Sequence, residues 1–149
     1  HGFTKNGRRT PGYQSWISMR QRCFDPNCKG FSNYGAQGIF VCDGWRHRYE
    51  PFLADLGECP LGFEIDRWPD KFGSYTCGHC EQCIKNGWSF NARWATRIQQ
   101  ARNKTTNLVY TVHGITACLS ELCERFSLPY ARVYARIFKL HWTVDEAFS

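Results

Sequence analysis

Cys77, Cys80 and Cys83 recur at three-residue intervals, and thiols so spaced, with Gly78 permitting a tight turn between the first two, can wrap a soft cation. Zinc suits them best, because it takes four Cys or His ligands in a tetrahedron. The fourth ligand must come from elsewhere, and two candidates stand open. His79 is cramped by its closeness to the thiols, whereas Cys59 is distant in sequence but just precedes a strand. An iron–sulfur cluster also uses Cys-x-x-Cys-x-x-Cys, although nothing else in the chain points to electron transfer. The ion's role would be structural: it clamps a long loop that buries too little apolar area by itself. Nine cysteines without a secretion signal favour a metal site over a disulfide framework. Cys23, Cys28 and Cys42 could join in a metal site too, but are expected to be ordinary buried thiols.

The thiols lie inside a longer pattern. Residues 63–67 alternate, Phe63 and Ile65 on one face and Glu64 and Asp66 on the other, which predicts a strand. Gly, Ser, Cys and Asn crowd the following stretch as far as Trp88, which predicts a loop. Residues 89–94 alternate again and are rich in aromatics, predicting a second strand. Thr96 and Gln99 then have the spacing of a capping box, so a helix should start there. Strand, loop, strand and capped helix make a ββα unit, with Asp66 ending the first strand, Asn91 in the second and Gln100 in the first helical turn.

Around this unit, residues 1–10 are polar and basic and are expected to form a mobile arm. Pro11 opens a helix whose inner face carries Tyr13, Trp16, Ile17, Arg20 and Cys23, and Asp25-Pro26-Asn27 breaks it. Residues 39–42 predict a short apolar strand. Trp45, Tyr49, Phe52, Leu53 and Leu56 recur at helical spacing, with Pro51 limiting or kinking that helix and Gly57 ending it. Residues 108–112 predict a strand before a His113-Gly114 turn. Leu119, Leu122, Cys123 and Phe126 form one apolar helical face. After a break at Ser127-Leu128-Pro129, a second helix turns Val133, Tyr134 and Ile137 inward and Tyr130, Arg132, Arg136 and Lys139 outward. Two short helices joined by a tight turn, the second basic outside, predict a helix-turn-helix able to enter a major groove. Thr143 can cap a last helical turn.

A chain of 149 residues suffices for one domain or two small modules. The division expected is a domain over residues 1–107 and a DNA-binding module over 108–149. A net charge of +6 favours a polyanionic partner. No apolar run is long enough to span a membrane and no signal peptide is evident, so no membrane partner and an intracellular location are expected. The first residue is His1 rather than Met, so a few residues are expected to have been removed.

The segment Asp66-Arg67-Trp68-Pro69-Asp70, with Gly73 and Tyr75, then Asn91-Ala92-Arg93-Trp94-Ala95-Thr96, Gln100 and Asn103-Lys104, resembles the HNH, or ββα-metal, endonucleases of phages and mobile elements. Trp16, Met19-Arg20, Arg22-Cys23, Asn33-Tyr34-Gly35, Gly38-Ile39, Val41-Cys42 and Trp45 resemble the same branch, so the likeness covers nearly the whole chain. It implies an HNH core in a bacterial cytoplasm or a phage-infected host cell; with the cysteine loop and terminal helices read above, the expected fold is α+β, an HNH core with a zinc-clamped loop and a C-terminal helix-turn-helix. It implies an enzyme that nicks or cuts double-stranded DNA in a homing or phage-encoded role. By resemblance Asp66 and Gln100 would hold Mg²⁺ and Asn91 would brace the loop. Arg93, Arg97, Arg102 and Lys104 would line the DNA face, and residues 141–148 partly match the branch's closing motif. Two departures matter: where the branch usually has a histidine base, this chain has Arg67, which stays protonated but can hold phosphate and stabilise developing charge, and Gln100 is a neutral and weaker ligand than His or Asp. A base must then be Tyr34, Tyr75, His47 or His79, with Tyr34 and His47 slightly favoured, or metal-bound water acts without one. The alternatives are a non-cutting DNA-binding regulator that keeps the fold and, less favoured, a zinc-stabilised RNA-binding module. Monomer and homodimer stay open.

Overall fold

The structure, a computed structural model, describes residues 3–149, and its contacts divide the chain at Gln100–Ala101 into two units. His1 and Gly2, the start of the expected arm, lie outside the described residues. The rest of that arm is a hairpin, not a loose tail: β1 (Thr4–Lys5) pairs with β2 (Arg8–Arg9). Two features hold it. Asn6 and Gly7 take the positive φ that a two-residue turn requires, and Phe3 packs edge-on against Tyr49 at 4.7 Å between ring centres.

Helix α1 (Pro11–Phe24) starts where Thr10 accepts from the Tyr13 N–H and proline occupies the first turn, and it buries Trp16, Met19 and Cys23. Below it lie α2 (Asp43–Arg46) and α3 (Tyr49–Leu56). Pro51 is tolerated because it falls in the first turn of α3, whose early N–H groups have no helical partner anyway. The core of this unit is aromatic, and its indole N–H groups are satisfied. Trp16 donates to the Trp45 carbonyl at 2.7 Å, Trp45 to Asp55 at 2.7 Å and Trp94 to the Leu56 carbonyl at 3.0 Å.

The ββα unit is present in shorter form. β3 (Glu64–Asp66) pairs antiparallel with β4 (Arg93–Ala95), aligning Asp66 with Arg93, and α5 (Arg97–Arg102) follows. Both halves of the expected capping box are made, the Thr96 N–H on Gln99 at 2.9 Å and the Gln99 N–H on Thr96 at 3.2 Å. Three expectations need correction. The second strand begins at Arg93, so Asn91 precedes it. Residues 39–42 make one parallel bridge, Val41 with Tyr75, in place of a strand. The stretch expected as loop holds α4 (Glu81–Asn86), whose end is set by Gly87 in the left-handed region.

In the second unit β5 (Val109–Val112) and β6 (Ile115–Cys118) form a hairpin through His113 and Gly114, both at positive φ. Next come α6 (Leu119–Arg125), α7 (Tyr130–Phe138) and α8 (Val144–Ala147), the last capped by Thr143 and Glu146. The core of this unit is Val112, Leu119, Leu122, Cys123, Val133, Ala147 and Phe148. Small antiparallel sheets among helices make the protein α+β.

Candidate metal centre and its surroundings

Cys42 closes the thiol group. The Sγ atoms of Cys42, Cys77, Cys80 and Cys83 all lie within 4.8 Å of one another, with Cys77 and Cys83 3.9 Å apart. A tetrahedral zinc with Zn–S bonds of about 2.3 Å puts its sulfurs about 3.8 Å apart. The spacing therefore fits a four-cysteine site that could hold a metal such as zinc. The fourth thiol within reach is that of Cys42, which is therefore not the isolated buried thiol expected, while His79 and Asp55 lie within 4.8 Å of the Cys77 sulfur as a second group. The Cys59 thiol turns instead to the carbonyls of Pro60 and Phe63, and the His79 ring meets Asp55 at 2.8 Å.

Backbone geometry holds the thiols together. The Cys77 N–H points at the Cys42 sulfur at 3.3 Å and the Cys80 N–H at the Cys77 sulfur at 3.2 Å, donors that favour thiolates. Two glycines make room: a Cβ on Gly44 would stand 2.8 Å from Cys80 Cβ, and one on Gly78 2.7 Å from the Phe90 nitrogen. Burial pushes the Cys42 and Cys83 thiols up, whereas at Cys80 burial is outweighed by the backbone donors of Cys83 and Gly44 and by the neighbouring thiols, bringing it down to about 7.

The residues singled out for phosphate chemistry gather at the end of β3. Asn91 is 7% exposed, and its amide accepts from the Asp70 N–H and donates to the carbonyls of Asp70 and Ser74, all at 2.9 Å. It thereby pins the loop over residues 70–74. Arg67 donates to Gly73 in that loop at 2.9 Å, and its guanidinium stands 5.4 Å from the centre of the Tyr34 ring. The Gln100 amide lies 3.5 Å from the carbonyl of Ile65, the residue before Asp66. Asp66 itself pairs with Arg93 at 3.2 Å, and Arg93 also lies 4.7 Å above the Trp68 ring.

Of the four cations expected on a DNA face, Arg97 and Lys104 are exposed, while Arg93 and Arg102 hold the carboxylates of Asp66 and Glu124. His47 is exposed just beyond α2, Tyr34 stacks on buried Tyr75 with 6.4 Å between ring centres, and His79 is taken up by Asp55.

On α7 two expectations change. Tyr134 is 42% exposed rather than inward, and it stacks between Tyr130 and Phe138, which are 50% and 43% exposed. Arg136, expected outward, is half-buried and donates to the Ala147 carbonyl at 2.9 Å while lying 5.0 Å over Trp142. Arg132 and Lys139 remain exposed. No helix among the described residues is long and apolar enough to cross a membrane. No family model, curated protein or solved structure matches the chain.

Proposed function

We propose that the chain is a metal-dependent DNA endonuclease with an HNH-type ββα core, a zinc-clamped loop and a C-terminal helix-turn-helix. The observation that carries this reading is the Asn91 lock. A nearly buried amide makes three hydrogen bonds to hold one loop, and that loop in turn receives Arg67, the neighbour of the strand-end carboxylate of Asp66. A protein commits a buried side chain in this way where a short segment must keep its shape without secondary structure.

Asp66 and Gln100 would hold Mg²⁺, which when bound stabilises charge on the phosphate and the leaving oxygen. They fit that role in part. Gln100 already reaches β3, but the Asp66 carboxylate is engaged by Arg93, so loading requires Arg93 to yield or to share it. Arg67 orients a phosphate oxygen through charge-assisted hydrogen bonds. It cannot take a proton from water. The four cysteines suit zinc, and because α4 follows Cys80 directly, such an ion would tie that helix to the Cys42 segment.

Supercoiled plasmid tests the reading. With Mg²⁺ the wild type is expected to give nicked or linear product, and Asp66→Ala to lose about a hundredfold or more in rate, the scale set by removing one main electrostatic contact. Unchanged cleavage by that variant overturns the assignment of Asp66.

The second reading, a non-cutting DNA-binding protein, draws its support from the Asp66–Arg93 pair and from the arginine at the usual base position. It predicts duplex binding without product. Either way α7 and its C-cap supply DNA contacts, for Arg132 and Lys139 are exposed and residues 126–143 contain no carboxylate. Arg132→Ala and Lys139→Ala should each flatten the slope of log affinity against log salt by about 0.9. Arg136→Ala should leave that slope unchanged and lower the melting temperature, since its guanidinium serves the Ala147 carbonyl. Filter binding across a salt series separates these outcomes.

A further inference from the structure

Arg22 sits in the last turn of α1 with its stem laid over Gly30, where a Cβ would lie 2.9 Å from Arg22 Cγ. Its guanidinium stands 4.8 Å from the centre of the Tyr34 ring, and its Nη2 lies 3.5 Å from the Tyr75 hydroxyl, a long contact for a charged donor. Its Nε is buried with no hydrogen-bond partner among the described residues. Nor does any described carboxylate pair with it, since the acidic side chains in ion pairs are held by Arg48, His79, Arg93, Arg102 and Arg125.

The groups that do face Arg22 carry no compensating charge. They are the phenols of Tyr34 and Tyr75 and the Cys23 thiol. Burial keeps the Tyr75 phenol in its neutral form, and burial pushes the Cys23 thiol up to about 11 although Arg22 and Arg67 both oppose that rise. Arg67 approaches the same Tyr34 ring at 5.4 Å. Two guanidinium groups thus converge on one ring, and one of them lacks a counter-ion. A half-buried cation in that state is costly, and a second beside it adds like-charge repulsion. An oxyanion bound by both relieves the two costs together, and a planar guanidinium fork matches its oxygens.

We propose that Arg22 and Arg67 form an oxyanion site beside the Tyr34 ring, which takes a phosphodiester of the DNA. The site needs no nuclease activity to exist; only the identity of its ligand as a DNA phosphate rests on the function proposed above. Tyr34 is in this arrangement the aromatic wall for two cations. Arg22, far in sequence from the strand-end residues, becomes a phosphate-binding residue of the same site.

Inorganic phosphate is the probe, read as the shift in thermal unfolding of the zinc-loaded full chain against chloride at equal ionic strength. Arg48→Ala, which removes an exposed arginine, controls for general salt effects. The wild type and Arg48→Ala are expected to share one phosphate-specific shift. Arg22→Ala and Arg67→Ala should each bind phosphate about tenfold more weakly, the loss of a charge-assisted hydrogen bond. If Arg22→Ala does not fold, Arg22→Lys is read in its place, since lysine keeps the charge and loses the fork. Wild-type phosphate affinity in the Arg22 variants overturns the proposal, as does a wild type that phosphate stabilises no more than chloride does. In the plasmid assay Arg22→Lys should lower kcat about tenfold with little change in KM. A wild type that cuts no DNA, yet loses phosphate binding on Arg22 substitution, refutes the nuclease reading and leaves the oxyanion site standing.

Discussion

Cys42→Ser is expected to lower zinc affinity by about a hundredfold or more and to unfold most of the unit that ends at Gln100 under conditions where the wild type is folded. The reasoning begins with position. Cys42 is fully buried, and its partners Cys77 and Cys83 belong to the same core as Trp45, Tyr49 and Phe52. Structural zinc contributes on the order of 10 kcal/mol in small domains, comparable to the whole stability of a typical fold. A serine hydroxyl can still accept from the Cys77 N–H but does not replace the thiolate bond to the metal. Cys59→Ser, by contrast, should leave zinc content at the wild-type level, because that thiol faces the carbonyls of Pro60 and Phe63. Metal analysis with circular dichroism reads both results.

The same centre sets a pH dependence. Burial raises the Cys42 and Cys83 thiols above their ordinary value, so both carry protons at neutral pH in the metal-free protein, and both must give them up to bind zinc. Acid therefore competes with the metal, and zinc affinity should rise with pH across the neutral range. Titration calorimetry in buffers of different ionisation enthalpy counts the released protons.

Asn91→Ala should cost about 2–4 kcal/mol, since it strands the Asp70 N–H and the carbonyls of Asp70 and Ser74, each worth about 1 kcal/mol when paired. Its effect on cleavage should be larger than that figure suggests. The loop presents the Gly73 carbonyl to Arg67, so a loop free to move lets the guanidinium leave its place beside Tyr34. Asn91→Asp is the informative companion, because a carboxylate can still accept from the Asp70 N–H but cannot donate to the two carbonyls. Chemical denaturation gives the stability of both variants, and single-turnover cleavage gives their rates.

The capping box at Thr96 and Gln99 was legible because it needs only two residue types at a fixed spacing, and the α6 and α7 helices because apolar residues repeat along one side. Cys42 was not, since 35 residues separate it from Cys77 and no local spacing records that closure. The available hint was Gly44, a residue whose missing Cβ lets the Cys80 and Cys77 side chains approach. Helix α4 is masked by the Gly and Cys residues before it, which signal a turn, and by its length of only six residues. Tyr134 was misplaced for a geometric reason. Residues 130, 134 and 138 form one helical stripe, and Val133 and Ile137 already fill the inward face beside it, so Tyr134 is carried outward with its stacking partners. Arg136 follows Val133 by three positions, which brings it over the buried side and within reach of Ala147.

The most direct test is a crystal structure of the zinc-loaded protein with a duplex and Mn²⁺ or Mg²⁺. The expected arrangement is a divalent ion touching Asp66 and Gln100, Arg93 released from that carboxylate, and Arg67 and Arg22 on the oxygens of a phosphate beside it. A duplex bound elsewhere, with Asp66 still paired to Arg93 and no ion at that strand end, would contradict it.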